Sequence, residues 1–475
     1  MTRLQEIPWV EKPTNDTLTA QFHPHSGFVM RVNIYRIPWV RSLLESKWPQ
    51  LLIRILTLSG FVFIIAAGLF GSLVGSHNFA IIFVWIAWWT ALKLVFIPFG
   101  GRSWCSICPI PLPGDWLQQG GILEPGKRRF GLNLRWPKRL KGSWMQSGGF
   151  LLIGLFSALT LTAPHVTGWV LLGLFGLAIG LSLVFERRAF CTYLCPIGGF
   201  SGMYAQTSPV EVRVIDKEIC AKHEVKSCYH ACPWGLYPVA FRDSSACGLC
   251  MECLRACPND NLALNLRPFG TDLGREKTSS RVDEAFLALV MLGSVMAFAA
   301  IFTGPWGWLK SAAFEIGSLP WVGYASGYLA LNLIILPALY LLAVWAGQKF
   351  TGTKLPLRRA IAIQAQALLP LGLMAWIAFT VSFAFPKLNY VLGVLNDPFG
   401  WGWHILGGID TSRMVPVAGI SSLIQVMLVL IGLYWSAHVS QKLSADSGKP
   451  APRTNIPVLA FSMTFTLVMF WLLIG

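Results

Sequence analysis

Charge is scarce in this sequence, and negative charge most of all: 22 Asp and Glu stand against 38 Lys and Arg in 475 residues, 54% of which are hydrophobic. Soluble domains devote about a quarter of their residues to charge. At 13% this chain has too little to cover a globule of its size. Three signatures are missing as well. No Cys-x-x-Cys-His occurs, which removes covalent c-type haem. No Gly-x-Gly-x-x-Gly follows a strand pattern and there is no P-loop, so nicotinamide and nucleotide chemistry have no foothold. Histidine is rare too, eight in all, so a bis-His haem has few candidate ligands. The first 16 residues contain no apolar core of the kind a secretion signal needs, and the segment before the first apolar run is expected to stay in the cytoplasm.

What is abundant is long apolar runs. A bilayer crossing takes about 20 residues, and nine stretches qualify by eye: Leu51–Val74, Ala80–Pro98, Met145–Ala163, Val166–Phe185, Ala285–Thr303, Trp321–Ala346, Ala365–Phe385, Val415–Ala437 and Ile456–Leu473. Placed on nine crossings, the Lys and Arg segregate. Only Lys310, Lys387 and Arg413 fall on one side, Lys93 lies inside a span near its inner end, and all the others share the opposite side. That is the positive-inside pattern. The +16 net charge is therefore a topology signal, and nucleic acid is not an expected partner.

All 11 cysteines fall on the basic, cytoplasmic side, where a reducing compartment keeps thiols free for metal. Cys247-x2-Cys250-x2-Cys253-x3-Cys257-Pro is the bacterial ferredoxin spacing for a [4Fe–4S] cluster. Its first three thiolates serve one cube and its fourth serves the neighbouring one. Ahead of it reads Cys220-x7-Cys228-x3-Cys232-Pro. Crossed pairing predicts one cluster on Cys247, Cys250, Cys253 and Cys232, and another on Cys220, Cys228 and Cys257. The second set is one thiolate short, and His223 stands where a cysteine belongs. It is either the fourth ligand or a loop histidine beside an open-iron cluster. A zinc ribbon would want two separated Cys-x2-Cys pairs instead. Short alternating stretches at Val210–Val214 and Asn261–Leu266 fit the small strands that flank such loops.

Two further pairs, Cys105-x2-Cys108-Pro and Cys191-x3-Cys195-Pro, follow the second and fourth apolar runs. Four thiols on one membrane face suffice for a third cluster. The alternatives are zinc, a redox dithiol or structural cysteines. Between the seventh and eighth runs, Asn396-Asp397-Pro-Phe-Gly-Trp-Gly-Trp403-His404 and then Asp410 combine an apolar surface with proton-accepting groups. Asp397, His404 and Asp410 are accordingly candidate quinone-site residues on the outer face.

These paired Cys-Pro motifs, followed directly by ferredoxin motifs, resemble the membrane polyferredoxins of the NapH/NosR type across about Ser59–Leu266. The resemblance implies an iron–sulfur protein that moves electrons between the quinone pool and a protein redox partner, as a quinol dehydrogenase subunit of a larger complex or an accessory donor of anaerobic respiration. Related membrane ferredoxins of metalloenzyme biogenesis share the pattern, so an assembly or maturation factor is the alternative. The expected architecture is a polytopic α-helical protein of about nine spans in the cytoplasmic membrane. It has a cytoplasmic segment (1–50), a four-span unit with the cysteine-pair loops (51–200), an inserted two-cluster ferredoxin domain (201–283) and a five-span unit (284–475). N-terminus and clusters would face the cytoplasm, with the C-terminus outside.

Overall fold

The computed structural model describes residues 18–23, 27–122, 130–274, 281–352, 355–407, 418–445 and 452–474. Among them, eight helices are long and apolar enough to cross a membrane: Lys47–Phe70, Phe79–Gly100, Pro164–Val184, Val282–Phe302, Leu319–Phe350, Leu357–Lys387, Ser421–Leu443 and Ile456–Ile474. The remaining apolar stretch, third in chain order, forms two shorter helices, Trp144–Leu155 and Ser157–Thr160, separated at Phe156. Its two ends nevertheless touch elements at the two ends of the bundle. Gln146 at its start donates to the Cys191 and Thr192 carbonyls, at 3.3 and 3.1 Å. At its far end the Thr162 carbonyl lies so near Gly75 that a Cβ there would sit 2.6 Å from it.

Two helices form the axis of the bundle. Val282–Phe302 and Leu357–Lys387 are buried along nearly their whole length, locked by a Trp376 Nε1 hydrogen bond to the Met291 carbonyl (3.2 Å). A helix hydrophobic all round belongs in such a place. The surrounding helices turn Leu, Ile and Phe outward, Leu56, Phe70, Leu152, Ile334 and Leu423 among them, as lipid-facing surfaces do.

The two ends of the bundle differ. At one end the first spanning helix meets the cysteine loops: Arg54 Nε donates to the Ser106 carbonyl (3.2 Å), Thr57 Oγ1 to that of Ile107 (2.8 Å), and Gln50 Nε2 to that of Cys250 (3.3 Å). At the other end its exit is tied to the aromatic loop, through Ser72 N to Phe399 O (2.7 Å) and Phe79 N to Pro398 O (3.0 Å).

Outside the bundle lies a four-stranded sheet, order β1-β2-β4-β3, with β1 Leu18–His23, β2 Gly27–Asn33, β3 Val210–Val214 and β4 Leu262–Leu266. β3 and β4 match the two strands expected from alternation and pair antiparallel, Val212 opposite Leu264. The segment ahead of the membrane adds the other two, β2 joining β4 through Val32 opposite Leu266. Beneath the sheet, Arg31, Arg213 and Arg267 surround Glu211, and Arg267 also grips Asp272 at 2.6 Å. Glu211 and Asp272 are wholly buried; burial opposes their ionisation, yet the arginines outweigh it and hold both carboxyls below the usual range.

Candidate iron–sulfur centre

Both cysteine-pair loops begin where a spanning helix reaches the same membrane face. Cys105 rides a single helical turn, Ser103–Ile107, and Cys191 a π-helical turn, Phe190–Leu194. Cys195 caps the helix Pro196–Tyr204, its Sγ accepting from the Gly198 N–H at 3.3 Å. Proline at the first helical position suits this arrangement, since its missing N–H would have had no partner there. The loops meet. Burial, and then the electrostatic influence of the other loop thiols, raises the Cys108 and Cys191 thiols. Cys195 is pushed up to about 11, by burial first, against the Gly198 N–H, with Cys105 adding to the rise.

In the extramembrane segment the thiols fall into two groups. Cys232, Cys247, Cys250 and Cys253 line one cavity with Trp234, Leu236, Phe241 and Leu249. Burial, with Cys232 as the nearest thiol influence, pushes Cys250 up to about 12. Cys220, Cys228 and Cys257 form a second group. Asn261 stitches it together, its backbone N–H donating to Cys257 Sγ and its side-chain amide to Cys220 Sγ, both at 3.4 Å. Raised thiols must lose protons before they can bind metal, so loading would release protons.

Three observations fit these groups to iron–sulfur ligation. The donors are soft, all cysteine apart from one histidine. The loop between Cys247 and Cys253 places Leu249 (φ 51°) and Met251 (φ 62°) in the left-handed region, which non-glycine residues enter only when surroundings impose it. His223, just past the helix Lys217–Lys222, has a buried Nδ1 with no hydrogen-bond partner. A free imidazole nitrogen three residues after Cys220 is what a fourth ligand requires.

Sequence reasoning missed the residues between the groups. Cys105 of the membrane loops packs in one buried cluster with Cys232, Cys250 and Trp234. The Trp234 ring has the Arg188 guanidinium 4.5 Å and the Arg102 guanidinium 6.0 Å from its centroid. Arg188 donates to the Cys105 carbonyl (2.6 Å) and pairs with Asp115. Arg102 reaches the Cys191 carbonyl (3.5 Å) and that of Ser245 (3.0 Å), and its Nε has no partner. On the far side, Cys228 and Cys253 share another packed cluster with Leu249, Leu254 and Tyr35. The three thiol groups thus follow one another: loops, Cys247 set, Cys220 set. The only sequence signals were Trp234 directly after a Cys-Pro and Arg187-Arg188 before Cys191, both of which also read as ordinary loop and inner-face residues.

Of the residues expected at a quinone site, Asp397, His404 and Asp410, the two described ones are elsewhere. Asp397 accepts from the backbone N–H of Trp401 (3.0 Å) and Gly402 (2.7 Å), which closes the aromatic loop and holds its carboxyl below the usual range. His404 is exposed, and Asp410 lies outside the described residues. This loop sits at the opposite end of the first spanning helix from the cysteines, roughly 22 Å away at 1.5 Å per residue.

Eight helices apolar enough to cross a membrane and the grouped thiols suit a membrane-embedded iron–sulfur protein of ferredoxin type, the class that the comparisons support. The 4Fe-4S binding domain family matches residues 81–133 and 167–211, the segments that carry Cys105, Cys108, Cys191 and Cys195. The methylamine utilization ferredoxin-type protein MauN of Paracoccus denitrificans is 27% identical over 162 residues, 30% of this chain and 52% of the relative. Its counterpart in Methylorubrum extorquens is 29% identical over 156 residues, 30% and 50% of the two chains. The ferredoxin-type protein NapH of Haemophilus influenzae is 34% identical over 67 residues, 14% and 21%. The chain thus spans about half the length of the MauN relatives, and the resemblance to NapH-type polyferredoxins holds. No solved structure matches.

Proposed function

We propose that this chain passes electrons between the membrane quinone pool and a respiratory redox partner, using three [4Fe–4S] groups on the cytoplasmic side. The loop set (Cys105, Cys108, Cys191, Cys195) would hold the membrane-proximal one. Cys232, Cys247, Cys250 and Cys253 would hold the middle one. Cys220, Cys228 and Cys257, completed by His223, would hold the outermost. Bound there, such groups supply one-electron oxidation and reduction.

The observation that carries this reading is the packing of Cys105, Trp234, Cys232 and Cys250 in one buried cluster, which brings the loop set against the ferredoxin set. The protein's own part is placement and tuning. Arg102 and Arg188 put positive charge beside the loop thiols, and Gly198 and Asn261 donate hydrogen bonds to sulfur. Such groups stabilise added negative charge and raise a potential, as does imidazole in place of thiolate. Cys220 and Cys257 are only half-buried, which suits the end where a soluble partner docks.

The test is anaerobic purification with iron and acid-labile sulfide counted per chain. About twelve irons are expected, falling by about four in Cys105→Ser/Cys191→Ser. About eight in the parent chain would remove the loop group, and stoichiometric zinc with little iron would overturn the proposal. Copper binding without quinol-driven reduction would favour the maturation role.

A further inference from the structure

One charged group within the bundle has no use in the scheme above. Lys93, in the second spanning helix, is completely buried, and its Nζ has no hydrogen-bond partner. No carboxylate approaches it among the described residues; three aromatic faces do, Trp89, Trp376 and Phe379, with centroids 5.1, 5.3 and 5.5 Å from Nζ. An ionisable group at membrane depth is costly to keep. A methionine would fill the same space, and replacing buried charge by packed apolar atoms is commonly neutral or stabilising. Packing therefore does not account for this lysine.

Its surroundings suggest what does. Lys93 lies in a π-helical stretch, Leu92–Phe96, and a second one, Ile82–Trp88, precedes it in the same helix. Such turns are rare and concentrate at functional sites, because the extra residue swings side chains out of the α-helical register. One turn before Lys93, the Thr90 hydroxyl is also buried without a partner, as is that of Ser201. Trp89 and Trp376 both pack on Phe200, at 5.3 and 5.6 Å. Phe200 belongs to the helix that starts at the Cys195 cap. From Cys195 the route to the lysine is five residues of helix and two ring contacts, roughly 18 Å in all and shorter in a straight line.

We propose that the Lys93 cage is the binding site for the head of a membrane quinone, on the inner side of the bundle. The chemistry selects that class. The occupant must be apolar enough to live in the bilayer, planar enough to lie among indole and phenyl faces, and must offer an oxygen that gains negative charge when the ring takes up an electron. The lysine Nζ–H donates to that oxygen, with the Thr90 hydroxyl, one turn away on the same helix, as a further candidate donor. The site rests on the quinone reading of the preceding section, and places the quinone near the loop thiols instead of at the Asp397 loop.

The experiment uses the full, iron-loaded chain and a short-chain azido-quinone, photolysed with and without excess unlabelled quinone, followed by peptide mapping. Labelling that the unlabelled quinone suppresses is expected on 79–100 and 357–387, falling at least tenfold in Lys93→Met with iron content unchanged. Phe379→Leu, which opens one wall, is expected to shift the labelling within the same peptides, and serves if Lys93→Met fails to assemble. Suppressible labelling confined to 389–407, or undiminished in an iron-loaded Lys93→Met, overturns this site while leaving the quinone reading standing. No suppressible labelling anywhere overturns both.

Discussion

Gly248 illustrates how narrowly single residues are constrained here. A Cβ at this position would lie 2.1 Å from the tip of the Trp234 ring, a ring buried against the Arg188 guanidinium. Gly248→Ala is expected to cost about 1–3 kcal/mol of local stability as an overpacked core. Iron should be lost from the Cys247 set first, read as a fall of about four irons with the loop set retained. Arg102 makes a different prediction. It is buried without a carboxylate partner among the described residues, beside thiols that would carry a net negative group. Adding an electron there is easier with the guanidinium present, so Arg102→Met is expected to lower the loop-set midpoint potential by tens of millivolts, while Arg102→Lys lowers it less. Redox titration followed by EPR reads both; an unchanged potential in Arg102→Met would refute the tuning role.

At the scale of elements, the sheet is held from below by a charge network that joins segments 180 residues apart, Arg31 to Glu211. Glu211 and Asp272 have folded pKa values below their unfolded ones, so their contribution is fully present above about pH 4 and fades as pH falls through the depressed values. Unfolding of the extramembrane part, followed by proteolysis, should be flat from pH 5 to 8 and change only in acid. Arg267→Met removes the shortest contacts of Asp272 and leaves it on Arg213 alone, with Glu211 still held by Arg31 and Arg213, and is expected to cost about 3 kcal/mol. Two of the four strands were legible, because Val210–Val214 and Leu262–Leu266 alternate on their own. β2 was not: its place is decided by partners in β4 that no local pattern announces. The expected thiol grouping rests on a local signal instead. Cys-Pro spacing fixes which way each sulfur leaves its loop, whereas the positions of Arg102 and Trp234 depend on how two membrane loops and the insert converge. The break at Phe156 was not read from the run either, although Ser157 stands directly beside it.

For the whole molecule, the inner and outer ends of the bundle carry opposite assignments, and the third stretch decides the count. If Trp144–Thr160 completes a crossing, Ser311 lies outside and Lys138 inside. A cysteine placed at Ser311 should then react with an impermeant maleimide in intact cells, and one at Lys138 only after permeabilisation. The reverse pattern would invert the topology and put every thiol group on the oxidising side. The way the sheet is closed also imposes an order of assembly. β2 leaves the ribosome before any membrane helix, yet the strand it bonds to, β4, follows roughly 230 residues later, after the whole first bundle; at about 5–20 residues per second that is a wait of roughly 10 seconds or more. Until then the edge of β2 is open and the Cys247 set has not been made. Synthesis thus places the loop thiols first and the ferredoxin thiols afterwards. The last pairing, Val32 with Leu266, ties the beginning of the chain to the completed cysteine set, so a ribosome that stalls early leaves an unlatched protein that quality-control proteases can recognise by its free strand.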